Sequence, residues 1–298
     1  MSGRPSWLTG TVARAEGERI VHVLEDPGDA PRVAEVIGAL ARVASFEQQV
    51  IAVCDTANPF GELGVEMPVT AVPARARLGV ISAALGSDVS TVMLVYGDGD
   101  VTLGAAILAA RVGSSVVRVG RAPGDAPMSR AVARLADLFL VPDEHEADAL
   151  TARKVEPERI HVVGDPLLDA VRHHAPRAAD RDGCRGHGLT RGGYALVVGP
   201  TEHRPAGMPT GLDVLRISGP GADGPGFLDR LSLIGSAALV VSDREQVRVE
   251  ATALGVPNRS LGAGIESDDL SLALRTEDAG TRIAAVLMAT YVRIVFVA

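Results

Sequence analysis

Short runs of branched aliphatic residues recur along this chain at regular intervals, each separated by an Ala- and Leu-rich stretch of helical length. The runs fall at 20–24, 49–53, 91–95, 115–119, 138–141 and 160–163, with helical segments at 30–44, 75–85, 101–110, 128–136 and 145–152 between them. Strands spaced by single helices imply βαβ crossovers and a parallel sheet covered on both faces. Composition agrees, because hydrophobic residues make up 47% of the chain and aromatic ones only 3%. Parallel strands buried on both faces draw on Val, Ile and Leu, whereas sandwiches lean on aromatic residues.

The pattern breaks at 174–193, a polar, Gly-rich stretch that reads as a linker. It resumes with strands at 194–198, 214–217 and 237–241 and helices at 227–234 and 245–254. A chain of 298 residues is long for one domain and comfortable for two. The expected division is an N-terminal Rossmann-like domain at 1–173, the linker, and a smaller C-terminal Rossmann-like domain at 194–298. The apolar segment 283–298 is expected as a terminal helix or strand that packs back on the first domain. Ligands of open parallel sheets sit beyond the carboxyl ends of the strands, so the loops there are the places to look.

Charge and motifs remove several classes. The net charge is −8 and the arginines are scattered, which gives nucleic acid little to bind. Cys54 and Cys184 lie far apart with no pairing motif, the first residues have no apolar core of signal-peptide length, and no apolar run reaches membrane-spanning length. A cytoplasmic protein with no membrane partner is expected. The turn after the first strand, Glu25-Asp26-Pro27-Gly28-Asp29, lacks G-x-G-x-x-G and is acidic where a dinucleotide would need free amides. There is no P-loop, no G-x-S-x-G elbow and no Cys/His cluster; His173 and His174 have no ligand-spaced partners in the sequence. No metal or cofactor is expected.

Three strand ends remain. Asp98, between Gly97 and Gly99, follows a buried strand and points either into a cleft or into solvent beside a helix capped by Asp100. Asp243, Arg244 and Glu245 open a helix, where an arginine can pair with phosphate and where acids equally complement the helix dipole; Glu250 lies one to two turns further on. His203 and Arg204 offer a titratable ring and a guanidinium after the strand at 194–198.

Together these segments resemble the non-hydrolysing UDP-N-acetylglucosamine 2-epimerases. Leu94-Val95-Tyr96-Gly97-Asp98, then Thr102-Leu103-Gly104-Ala105-Ala106, is similar to that family's V-x-G-D-T-x-S/T-T-L-A-A-A. Arg134-Leu135-Ala136-Asp137 through Pro142 resembles R-L-A-D-x-x-F-A-P/V-P-T, and Pro157-Glu158-Arg159-Ile160 through Asp169-Ala170 resembles P-E-R-I-x-V-T-G-N-T-V-I-D-A. Tyr194-Ala195-Leu196-Val197 leading to His203-Arg204 resembles Y-x-L-V-T-x-H-R, and the segment from Ala237 to Pro257 resembles x-L-V-x-T-D-S-G-G-x-Q-E-E-A-x-x-L-G-x-P.

The resemblance implies two Rossmann-like domains facing across a cleft, of the glycosyltransferase-B type, with the C-terminal domain reduced. It implies a UDP-sugar ligand, loss of the sugar C2 proton with expulsion of UDP, and a second copy of the chain or a paralogue as protein partner. Asp98, Asp125 and His203 would form the acid–base set, with Arg32, Arg204, Asp243, Arg244 and Glu250 on UDP. The departures are specific. The family's G-T-R-P-E becomes Glu25-Asp26-Pro27-Gly28-Asp29, and Arg32 stands where a lysine is usual. H-V-E-A-G-L-R becomes Arg118-Val119-Gly120-Arg121, which loses the glutamate, and D-S-G-G becomes Asp243-Arg244-Glu245-Gln246. Three readings follow: a sugar-nucleotide enzyme with altered chemistry, a non-catalytic relative that binds UDP-sugar or a paralogue, and a glycosyltransferase on the same scaffold.

Overall fold

The structure, a computed structural model, describes residues 19–43, 46–52, 59–65, 67–72, 77–85, 91–199, 208–219, 224–260 and 278–291. The first half forms strands β1 (Arg19–Leu24), β2 (Glu47–Ala52), β3 (Val69–Ala71), β4 (Thr91–Val95), β5 (Ser115–Val119), β6 (Leu138–Val141) and β7 (Ile160–Val162). They make a seven-stranded parallel sheet in the order β3-β2-β1-β4-β5-β6-β7, which reverses direction between β1 and β4. Helices α1 (Ala30–Val43), α2 (Arg77–Leu85), α3 (Asp100–Val112), α4 (Pro127–Leu135), α5 (Glu144–Ala152) and α6 (Pro166–Ala179) cover it. β4 is buried at every residue, as a central strand with helices on both faces must be.

The second half is smaller. A short helix α7 (Gly183–Gly186) leads to β8 (Tyr194–Val198), β9 (Asp213–Ile217), α8 (Phe227–Ser236), β10 (Leu239–Ser242), α9 (Glu245–Ala253) and β11 (Asn258–Arg259). The four strands pair in parallel in the order β11-β10-β8-β9. This is the two-sheet glycosyltransferase-B architecture with a reduced second sheet.

The polar stretch 174–193 is not an extended linker. Its first part completes α6, and its middle forms α7, with Cys184 buried beneath. Leu167, Leu168, Ala170, Val171, His174 and Ala178 are buried at helical spacing, so the apolar stripe continues through a segment whose other positions are Arg, His and Pro. Asp165 caps this helix by accepting from the Leu167 amide at 2.9 Å. α6 then packs against α1 on one side and α8 and α9 on the other. A single apolar cluster therefore runs through both halves, from Val33, Ile37 and Leu167 to Phe227, Leu231 and Val249. Each such fully buried side chain contributes roughly 1.5–3 kcal/mol.

The last described helix, α10 (Ala279–Tyr291), lies on α1 and α6 of the first half. Asp169 of α6 accepts from the amides of Asp278 and Gly280, both at 3.2 Å, and so caps it. No helix among the described residues is long and apolar enough to cross a membrane.

One polar group sits deep in the large sheet. His22 of β1 is fully buried, with Nε2 3.1 Å from Gln48 Oε1 and Nδ1 2.9 Å from the Tyr96 hydroxyl. The Gln48 amide NH2 donates to the Ile37 carbonyl, which leaves its oxygen for the imidazole. Nε2 then carries the proton and Nδ1 accepts from Tyr96. Burial, opposed only in part by the Gln48 bond, lowers the His22 pKa from 6.5 to about 4. The unfolded chain thus binds a proton that the folded chain refuses between about pH 6.5 and 4, and stability falls as pH falls through that window. About 3 kcal/mol should be lost at this one site. Urea unfolding of wild type and His22→Gln from pH 7 to 4 checks this; equal pH slopes for the two proteins would exclude His22 as the source.

Candidate active site

A cavity of about 390 Å³ opens at the carboxyl ends of β1, β4 and β5, where the strand order reverses. The acidic turn after β1 has a structural task there. The Glu25 carboxylate accepts from the amides of Gly99, Val101 and Thr102 at 3.2, 3.1 and 3.3 Å and from the Thr102 hydroxyl at 2.8 Å. It caps α3 from a distant part of the chain, so the expected cap, Asp100, is instead the first helical residue. A Cβ at Gly99 would collide with this carboxylate, which explains the glycine. The N-terminus of α3, otherwise a ready site for a phosphate, is filled by the protein's own anion.

Asp98 lines the cavity with 40% of its side chain exposed. Its neighbour is Arg118, whose Nη2 lies 4.0 Å away. Arg118 belongs to β5 and is 6% exposed, with Nε and Nη1 buried and lacking a hydrogen-bond partner. Burial pulls its pKa down, with the charge of Asp98 opposing. The sequence placed Arg118 only within an altered motif; an arginine inside a Val-rich buried strand was the signal that could have found it.

The other two cavity arginines are already neutralised. Arg32 does not stand free for a phosphate: it donates to Asp29 at 2.6 Å and to both oxygens of Asp165 at 3.0 and 3.3 Å. Burial raises the Asp29 pKa against the pull of Arg32; at Asp165 burial acts upward too, but Arg32 holds the carboxyl below its usual value. Arg121 donates to the buried Glu146 at 2.6 Å and reaches across the cleft to Glu245 of α9. Gln246 also crosses, donating to the Gly28 carbonyl at 2.7 Å.

A second cavity of about 400 Å³ lies at the carboxyl ends of β8 and β9. Arg216, Ser218, Gly199, Gly219 and Arg244 line it, and no carboxylate does among the described residues. Arg244 packs so closely on Gly219 that a Cβ there would strike its side chain. Arg244 thus stands at a strand end beside an open cavity. Asp243 is exposed, accepts from the Ser260 hydroxyl at 2.6 Å and lines neither cavity.

Two other expected site residues stand elsewhere. Asp125 is 89% exposed and pairs with Arg153 at 3.0 Å, outside both cavities. Glu250 is fully buried, and its oxygens accept from Arg230 Nε and Nη2 at 2.9 Å each, with Gln246 at 3.3 Å. Its carboxylate is spent inside the protein rather than open to a ribose. His203 and Arg204 lie outside the described residues.

His173 and His174 do have a partner in space, Glu35, with ligand atoms of the three within 4.8 Å of one another. The two rings stack at 4.8 Å and 13°, so their in-plane lone pairs run side by side rather than converging on an ion. The His173–Glu35 contact at 3.2 Å is an ordinary surface pair.

Against known proteins, the sequence matches no protein-family model and no curated protein. Solved structures match over almost the whole chain. They include the UDP-GlcNAc 2-epimerase of Methanocaldococcus jannaschii in complex with UDP-GlcNAc and UDP, at TM-score 0.72 and 16% identity, covering 91% of this chain and 99% of that one. The enzyme from Rickettsia bellii aligns at 0.70 and 13% identity over 92% and 97% of the two chains. That from Neisseria meningitidis, bound to UDP-GlcNAc, aligns at 0.69 and 13% over 91% of each. The chain has the fold of the UDP-GlcNAc 2-epimerases.

Removing one partner of a buried ion pair strands the other, at a cost of about 3–5 kcal/mol. Glu250→Ala should therefore lower folding stability by that amount even without ligand, read by chemical denaturation. A variant as stable as wild type would return Glu250 to the role of a ligand contact.

Proposed function

We propose that the protein acts on a UDP-sugar, removing the proton at C2 and expelling UDP, with a catalytic set altered from that of the epimerases it resembles. The observation that carries this reading is the pairing of two unlike cavities within one fold. One, at the reversal point of the large sheet, holds an accessible carboxylate, Asp98, beside a buried cation. The other, at the strand ends of the small sheet, holds Arg216 and Arg244 and, among the described residues, no acid. Solved neighbours of the same fold carry UDP or UDP-GlcNAc.

In this scheme Asp98 takes the C2 proton, the C2–H electron pair becomes the C1–C2 double bond, and the C1–O bond breaks with its pair on the β-phosphate oxygen. Arg244 and Arg216 neutralise the departing diphosphate. Re-addition of UDP to a C2 protonated from the other face would complete an epimerisation. With Asp125 on the surface and Gly120 in place of the motif glutamate, Asp98 is the one carboxylate of the expected acid–base set that lines the cavity among the described residues. That favours elimination over a balanced two-base epimerisation. Binding without turnover is the second reading, supported by Glu25 filling the α3 N-terminus and Glu245 holding Arg121.

Calorimetric titration with UDP and UDP-N-acetylglucosamine, then proton NMR in heavy water, tests both. Turnover appears as deuterium at C2 or release of UDP, and Asp98→Asn should slow it by about 10²–10⁴-fold. Binding with neither signal supports the non-catalytic reading, and UDP release only with an added acceptor supports glycosyl transfer. Arg244→Ser should weaken UDP by roughly tenfold or more; unchanged affinity would remove Arg244 from the phosphate.

A further inference from the structure

The three arginines of the first cavity are not treated alike. Arg32 sits between Asp29 and Asp165, and Arg121 sits between Glu146 and Glu245. Each thus has two carboxylates. Arg118 has one ion-pair partner among the described residues, Asp98, and only at 4.0 Å, with Asp29 and Glu146 acting on it from further away. A guanidinium cannot lose its proton to escape burial, so a buried one without hydrogen-bond partners is a standing cost to the fold. The cost persists where a bound group meets the charge. Arg118 lines the cavity beside Gly120, where a Cβ would lie 3.9 Å from its Nη1, while the room beside Gly97 and Gly99 is taken by Glu25. The remaining acids do not compete for it: Glu25 is held by the α3 amides, Asp26 caps the turn after β1 through the Gly28 amide, and Asp29 faces Arg32.

Building on the sugar-nucleotide reading, we propose that the missing second carboxylate of Arg118 comes from the substrate. The cavity takes a UDP-sugar whose sugar carries a carboxylate, of the uronic-acid class, and Arg118 is the residue that selects it. Its fixed positive charge at the cavity wall is matched by a carboxylate and met poorly by a neutral hydroxymethyl group. The diphosphate is served separately by Arg216 and Arg244.

The test titrates the full chain with UDP, UDP-N-acetylglucosamine and UDP-N-acetylglucosaminuronate, on wild type, Arg118→Met and Arg118→Lys. Wild type should bind the uronate about 10–100-fold more tightly than the neutral sugar nucleotide. Arg118→Met should abolish that preference, Arg118→Lys should keep part of it, and UDP alone should bind all three proteins equally. The ligand-free Arg118→Met protein should also melt at a higher temperature than wild type, because an unmatched buried charge has gone. Equal affinities on wild type would overturn the proposal without any variant, as would a preference that survives in Arg118→Met. Weaker UDP binding by Arg118→Met would assign Arg118 to the diphosphate and overturn the sugar assignment. Failure of UDP itself to bind wild type would refute the sugar-nucleotide reading, and this inference with it.

Discussion

Arginine keeps its charge in every environment a protein can offer, so each guanidinium drawn inside must be met by carboxylates on other elements. Much of the long-range order in this chain follows from that. Arg32 ties α1 to the start of α6 through Asp165, Arg121 ties the loop after β5 to α5 and α9, and Arg230 ties α8 to α9 through Glu250. Apolar burial supplies the bulk of the stabilisation. The ion pairs fix which helix meets which, because an uncompensated partner costs more than a poorly packed Leu. The cavity is the place where this matching is left incomplete.

The layout of strands and helices was legible because each element buries its own stripe. β4, β5, β6 and β8 have the bounds that their Val- and Leu-rich runs imply, and α3, α4 and α5 differ from the expected helices at their ends by a residue or two. Two features were obscured by composition. β3 is three residues long and only partly buried, which gives no alternation to read. α6 was not expected as a helix at all, since its second half carries Arg, His and Pro, and Pro176 inside a helix runs against the usual rule.

The site was legible only in part. Asp98 and Arg244 stood out because a strand end and a helix start announce themselves locally, and both line cavities. Arg32 and Glu250 sat at recognisable positions, but their partners, Asp165 and Arg230, are far along the chain, and pairing at such range leaves no trace in spacing. The same holds for Glu25, a helix cap contributed from another loop. Residues that act through distant partners are visible to sequence reasoning only as anomalies, such as a charged residue in a buried strand, and Arg118 is the case in point.

The continuity of α6 bears on how anything enters the cleft. In a two-domain protein joined by a slack tether, the halves swing apart as bodies, typically over microseconds to milliseconds. Here the connection is a helix packed on both halves, and one apolar cluster passes through it. Swinging the halves apart would expose that seam to water. Two polar contacts beside the first cavity, Arg121 to Glu245 and Gln246 to the Gly28 carbonyl, join the halves in addition to that seam. Separating the halves therefore costs buried apolar area as well as these two polar contacts.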